Sequence, residues 1–174
     1  HNDQLQLTEV KAVTEGYPLR GVLRISDTAF GKDTATTDIP AAGDVWVESR
    51  LLQMLDLDVG DVISIGSSSF NIRKILRYEP DRAGDMFSLA PRVLMNSADL
   101  DATGLITTGA LVSYRVLISG ARNAIDTYRR AIKSSLQPGE KILSVEEGRP
   151  ELNTALERAQ QFLGLAALIS VLLA

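Results

Sequence analysis

The residues best equipped for chemistry lie in the run "EPDRAGD", where Glu79, Asp81, Arg82 and Asp85 fall within seven positions. Carboxylates this close could pair for acid–base work or hold a hard cation. A calcium loop, however, needs six to eight oxygen ligands on a disciplined spacing, which this run does not follow. Arg82 among the acids favours local salt bridging, so a solvated or salt-bridged turn is the expectation, with a recognition surface as the alternative. "DLDVGD", Asp56 to Asp61, lacks the closing glutamate of an EF-hand and reads as a helix end before a strand. Ser67, Ser68 and Ser69 would need a base, and His1 is the sole histidine. Lys74 is the nearest substitute, with nothing to orient it.

The remaining inventory narrows the classes further. Cysteine is absent, which removes thiolate metal sites, disulfides and cysteine nucleophiles. No G-x-x-x-x-G-K-S/T run occurs, and the glycines of "GDVISIG" are too far apart for a dinucleotide fingerprint. No catalytic residue, cofactor or metal is therefore expected. A net charge of −4 and a pI near 5.0 provide no basic field for phosphate backbones, so nucleic acid is not an expected partner.

The elements that must position these residues follow from periodicity. "LQLTEVKAV" and "RGVLRI" alternate as strands around the turn "TEGYPLRG", and Ser26 to Asp44 reads as a long loop. "DVWVES" is a strand feeding a short helix, "SRLLQMLDL", with Ser49 as N-cap. Val62–Ile65 and Phe70–Leu76 flank "GSSS" as a hairpin. A strand around Pro91 to Met95 follows, then a helical turn capped by Asn96 or Ser97. "LVSYRVLISG", "ARNAIDTYRRAIKSSL" and "EKILSVEE" read as strand, helix and strand. The helix carries Ala121, Ala124, Ile125, Tyr128, Ala131, Ile132 and Leu136 on one stripe, with Arg129 and Arg130 opposite. Such a unit implies parallel strands with a right-handed crossover.

From Pro150 the chain reads as one helix that turns wholly apolar at Phe162. Residues 162 to 174 carry no charge and would span about 20 Å as helix, short of a hydrocarbon core of roughly 30 Å. Because the run continues a polar helix and is apolar all round, it is expected to be a membrane-entry helix. Phe162, Leu163, Leu165, Leu168, Ile169 and Leu172 are its expected membrane-entry residues. The start has no signal-peptide pattern. His1 reads as a tag remnant, and the chain as an excised fragment.

"VKAVTEGYPLRG", "VWVESRLLQMLDLDVGDVISIGSSSFNI", "EPDR", "LAPRVLMNSADLDATGLI" and "VSYRVL" together carry a resemblance. In this order and spacing they resemble the extracytoplasmic region of bacterial ABC-transporter permeases of the FtsX/MacB superfamily, especially the YbbP-like, ten-span type. The resemblance implies an α+β fold: a MacB-like periplasmic core with an α/β lobe and a small inserted β-rich lobe, ending in a stalk helix that enters the membrane. On that pattern residues 1–43 and 111–149 form the α/β lobe, 44–110 the inserted lobe, and 150–174 the stalk and the start of a transmembrane helix. The family's preceding stalk and strand–helix unit are missing from the front, so the fragment is expected to compensate by forming a homodimer or exchanging elements.

The resemblance further implies a non-catalytic periplasmic domain at the bacterial inner membrane. It would be coupled to a cytoplasmic ABC ATPase subunit and act on membrane lipid, lipoprotein or other hydrophobic cargo, or on a periplasmic partner. Its motifs here are Tyr17, Pro18, Leu19, Arg20 and Gly21, then Glu79, Pro80, Asp81 and Arg82, then Pro91 and Arg92. No catalytic role attaches to them, and turn geometry and lobe packing are their expected work. The rival reading is a freestanding soluble binding module whose apolar tail docks a partner or drives oligomerisation.

Overall fold

A computed structural model describes residues 4–82 and 90–144. It divides into two units, His1–Leu117 and Ile118–Ala174. The first is built on one mixed sheet. Its strands are β1 (Glu9–Val13), β2 (Leu23–Ser26), β3 (Thr34–Thr36), β4 (Asp44–Val47), β5 (Val62–Ile65), β6 (Ser68–Tyr78) and β7 (Arg92–Asn96), with helix α1 (Ser49–Leu55) between β4 and β5. The order is β1-β7-β4-β6-β2-β3. β1 runs parallel to β7 and β4 parallel to β6; the other neighbours are antiparallel.

β6 organises the sheet because it is long enough to serve several partners. Its Asn71 pairs with Asp44 on one edge and Val62 on the other, while its Ile75 pairs with Val47 and Ser26. β5 and β2 therefore follow one another along the same edge of β6. Strands from 1–43 and from 44–110 thus share one sheet.

Period-two alternation explains why both faces are covered. Val45, Val47, Ile75, Val93 and Met95 turn one way, joining Leu51 and Leu52 of α1 and Ile63, Ile65 and Phe70 of the hairpin. The intervening Trp46, Leu76 and Leu94 turn the other way and pack with Val13, Tyr17 and Leu23. Burial of this much aliphatic surface is the main stabilising term of the unit.

The hairpin forms as its residues predict, with Ser68 and Ser69 drawn into β6 and the turn reduced to Gly66 and Ser67. Gly66 has φ +59°, and a Cβ there would lie 2.0 Å from the Thr103 carbonyl oxygen. The Ser67 N–H donates to that same oxygen at 2.8 Å. Only a residue without a side chain lets the turn dock so closely. At the start of α1, Glu48 stands at the N-cap in place of the expected Ser49 and makes no side-chain cap, because its carboxylate is engaged elsewhere. Asn96 does cap the next turn, its Oδ1 accepting from the Ala98 N–H at 2.9 Å. The loop between Ser26 and Asp44 contains a strand that the reading missed: "TAT" pairs with β2 through Thr34–Thr36.

In the second unit, α2 (Arg122–Ile132) forms where its stripe predicts. The strands expected on either side of it do not form among the described residues. Leu111–Gly120 and residues 141–144 have no strand pairing among the described residues, and the first of these segments is exposed throughout. A strand exists only as part of a ladder, and β propensity without a partner leaves an extended, solvated chain. No helix among the described residues is long and apolar enough to cross a membrane. The expected stalk, the membrane-entry residues Phe162 to Leu172, and Asp85 lie outside the described residues.

Candidate functional site

The site grows from two strand ends. In the parallel β1–β7 register, Glu9 stands beside Arg92 and Lys11 beside Leu94. Alternation puts Glu9, Lys11 and Val13 on one face of β1. β6 ends at Tyr78, and the chain turns at once through Glu79 into a tight helical turn, Pro80–Arg82. The face of β1 and this corner meet.

Lys11 is the hub. Its Nζ lies 2.5 Å from Glu79 Oε1, 2.7 Å from Asp81 Oδ2 and 2.8 Å from the Tyr17 hydroxyl, and sits 4.4 Å from the centre of the Tyr17 ring. An ammonium has three protons, and all are used. The Tyr17 oxygen accepts from Lys11, then shares its one proton between Glu79 Oε1, at 2.7 Å, and Asp81 Oδ1.

Glu79 is 3% exposed, and a lone carboxylate at such a depth would be costly. Arg92 stands on its other side. The guanidinium binds Glu9 Oε1 through Nη1 at 2.6 Å, and its Nε faces Glu79 Oε2 at 3.1 Å. That last contact is an ion pair without hydrogen-bond alignment, since neither atom has a hydrogen-bond partner among the described residues. It neutralises charge without directing it.

A second knot adjoins the first. One Glu48 oxygen pairs with Arg82 Nη1, and the other accepts from Arg50 Nε at 2.8 Å and from the Arg92 N–H at 3.1 Å. Arg50 and Arg82 both donate to the Ala90 carbonyl, at 2.8 and 3.2 Å. Glu9, Glu48, Glu79 and Asp81 thus face Lys11, Arg50, Arg82 and Arg92, acids and bases in equal number. The turn "GYPLRG" lies against the same corner. Tyr17–Pro18 is cis, and Gly21, at φ +81°, sits so close to Pro80 that a Cβ would meet its Cγ at 3.0 Å.

These contacts set the site's electrostatics. Burial, then hydrogen bonding to Asp81 and Glu79 and their charges, pushes the Tyr17 phenol far above its ordinary range. Burial alone would raise the Asp81 carboxyl as well. Hydrogen bonds from Lys11 and Tyr17, with the Lys11 charge, outweigh it and hold that carboxyl below its usual value. The phenol stays protonated and Asp81 stays ionised near neutrality, so the hydrogen bond from one to the other is kept. No group of three or more His, Cys, Asp or Glu side chains suited to a metal occurs among the described residues.

Three separate sequence motifs therefore converge on one place. Tyr17, Gly21, Glu79, Pro80, Asp81, Arg82 and Arg92 meet there, and Pro91 is fully buried beside them. Leu19 and Arg20 instead face solvent. The expected local bridge within "EPDR" is corrected: Arg82 reaches Glu48, and the two acids reach Lys11. Folding brings distant opposite charges closer than the turn brings its own. Lys11, Glu9, Glu48 and Arg50 are members that sequence reasoning missed. The available signal was Lys11 itself, a charge on the same alternating face as Val13.

The chain is 36% identical over 172 residues, 99% of its length, to "Uncharacterized ABC transporter permease YbbP" of Escherichia coli (strain K12). The chain is thus related to YbbP-like ABC transporter permeases. It spans 20% of that relative's length, so the match concerns one stretch of a much longer protein. No family model matches the chain, and no solved structure matches it significantly.

Proposed function

We propose that this chain is the periplasmic domain of a bacterial inner-membrane ABC permease of the FtsX/MacB superfamily, and that its work is mechanical rather than catalytic. In this reading a cytoplasmic ATPase subunit drives the permease, and the domain's movement extracts or exports lipid, lipoprotein or other hydrophobic cargo, or drives a periplasmic partner. Permease ancestry favours this over a freestanding binding module.

The observation that carries the reading is the cluster around Lys11. Its acids and bases are consumed by one another, and they tie β1, the "GYPLRG" turn, the end of β6 and the start of β7 into one body. A body that transmits force must move without deforming, and charges paired across four chain segments resist such deformation.

The test uses the full permease with its ATPase in lipid, carrying a fluorophore at Ser64 on β5 and an acceptor dye in the membrane. Energy transfer is expected to change when ATP replaces ADP. A domain whose distance from the membrane is the same in both nucleotide states would sink the mechanical reading.

A further inference from the structure

Phe30 is 97% exposed, yet the loop that carries it is firmly held. Ser26 Oγ donates to the Thr28 carbonyl at 2.7 Å, and the Gly31 N–H donates to the same oxygen at 3.1 Å. Arg77 Nη2 binds the Ala29 carbonyl, and Lys74 pairs with Asp27. Ala29 packs against the apolar face that holds Ile75 and Met95. A Cβ at Gly31 would lie 2.6 Å from Thr28 Oγ1 and 2.8 Å from Ser26 Oγ, so the turn is closed as tightly as glycine allows. Of its immediate neighbours Ala29 is half-buried and Gly31 has no side chain, so Phe30 is the large apolar side chain that this turn leaves in solvent.

The charge around it departs from that of the chain. Arg24 and Arg77 pair with Asp33 and Lys74 with Asp27, and Lys32 adds a further cation within the loop, in a chain of net charge −4. Lys32 is exposed and has no ion-pair partner among the described residues.

We propose that the Phe30 loop is a contact for an anionic bilayer surface, with Phe30 entering the acyl boundary and Lys32 meeting lipid headgroups. A lone aromatic offers far less area than the roughly 1,000 Å² of a specific protein interface. A bilayer makes no demand for shape complementarity, and it rewards an apolar side chain rimmed by cations. The preset backbone leaves little entropy to be lost on contact. Such a contact is weak, and it suffices for a domain already tethered beside a membrane. In that respect the inference rests on the placement proposed above.

The experiment uses the 174-residue chain with Phe30→Trp, and wild type as control, since Trp46 is 5% exposed and inside the core. Vesicles of zwitterionic lipid, and of the same lipid with an anionic component, carry brominated acyl chains. Emission from the indole introduced by Phe30→Trp is expected to shift blue and to be quenched in anionic vesicles, with Trp46 unchanged. Adding Lys32→Glu should weaken the response about tenfold. Because the readout is local, binding through the apolar C-terminal run cannot mimic it. An introduced indole that remains open to an aqueous quencher at every lipid concentration overturns the proposal, as does an equal response to both vesicle types. Shielding that appears with protein concentration and no lipid overturns it in favour of a second copy. None of these failures touches the nucleotide-driven movement of the full permease, which is tested separately.

Discussion

Lys11 Nζ and Glu79 Oε1 lie 2.5 Å apart although 68 residues separate them in the chain. The pair joins an edge strand to the far end of the central one, and its carboxylate has almost no access to water. Replacing Lys11 with Met leaves that carboxylate beside Asp81 with the unaligned Arg92 contact as its remaining ion pair. Loss of one partner from such a buried pair costs about 3 kcal/mol. The urea midpoint, followed through Trp46 fluorescence, should fall accordingly with an unchanged m-value. Adding Glu79→Gln should restore part of the loss. A single variant as stable as wild type would show that the cluster does not hold β1.

Titration of the same cluster has two arms. The Asp81 carboxyl is depressed in the fold, so its contribution is complete above the unfolded value of about 3.9. It is lost as pH falls below that and through the folded value. The Tyr17 phenol is raised, so its contribution is complete below about pH 10 and is lost as pH climbs beyond. Between these limits neither of these two groups changes stability with pH. Asp81→Asn should flatten the acid arm, and Tyr17→Phe the alkaline one. Chemical denaturation at a series of pH values reads both.

Gly60 and Gly66 both have positive φ, at +105° and +59°, but only Gly66 faces a close neighbour. Alanine at Gly60 meets nothing within 4 Å and should cost about 1 kcal/mol for backbone strain alone. At Gly66 the new Cβ would collide with the Thr103 carbonyl, where no flexible side chain can yield. The hairpin must then lift from the 101–104 turn, breaking the Ser67 N–H bond to that oxygen. Gly66→Ala should be the more damaging by at least about another 1 kcal/mol, as lost bonding at a buried carbonyl implies. Comparison of the two melting temperatures decides it.

These outcomes mark how far the sequence could be read. β5, β6 and α1 were legible because alternation, a glycine turn and an apolar helical face are local signals. β3 escaped because "TAT" is short, mostly exposed and given meaning only by β2 beside it. The acidic turn was visible as a group of charges, but its partners were not. Nothing near Glu79 in the chain points to Lys11 or Arg92, since a parallel pairing and a sheet end bring them together. Ser49 looked like a cap and yielded the place to Glu48, whose carboxylate serves Arg82, Arg50 and the Arg92 backbone. Tertiary charge pairing overrode local capping there.

The same distinction between propensity and pairing gives a last expectation, at Leu111–Gly120. Val112, Tyr114, Val116 and Ile118 alternate as a strand should, yet all four are exposed and unpaired in any ladder among the described residues. In β6, by contrast, the Ile72 N–H donates to Asp61 at 2.8 Å within a doubly flanked strand. Amide exchange of the 174-residue chain should leave β6 protected to near the global unfolding limit, while 112–118 exchanges as open chain. Slow exchange at Tyr114 and Val116 would mean that the strand expected from the alternation does form, with a partner outside the described ladder. A transition from fast to slow as protein concentration rises would identify that partner as a second copy, because only an intermolecular pairing responds to mass action.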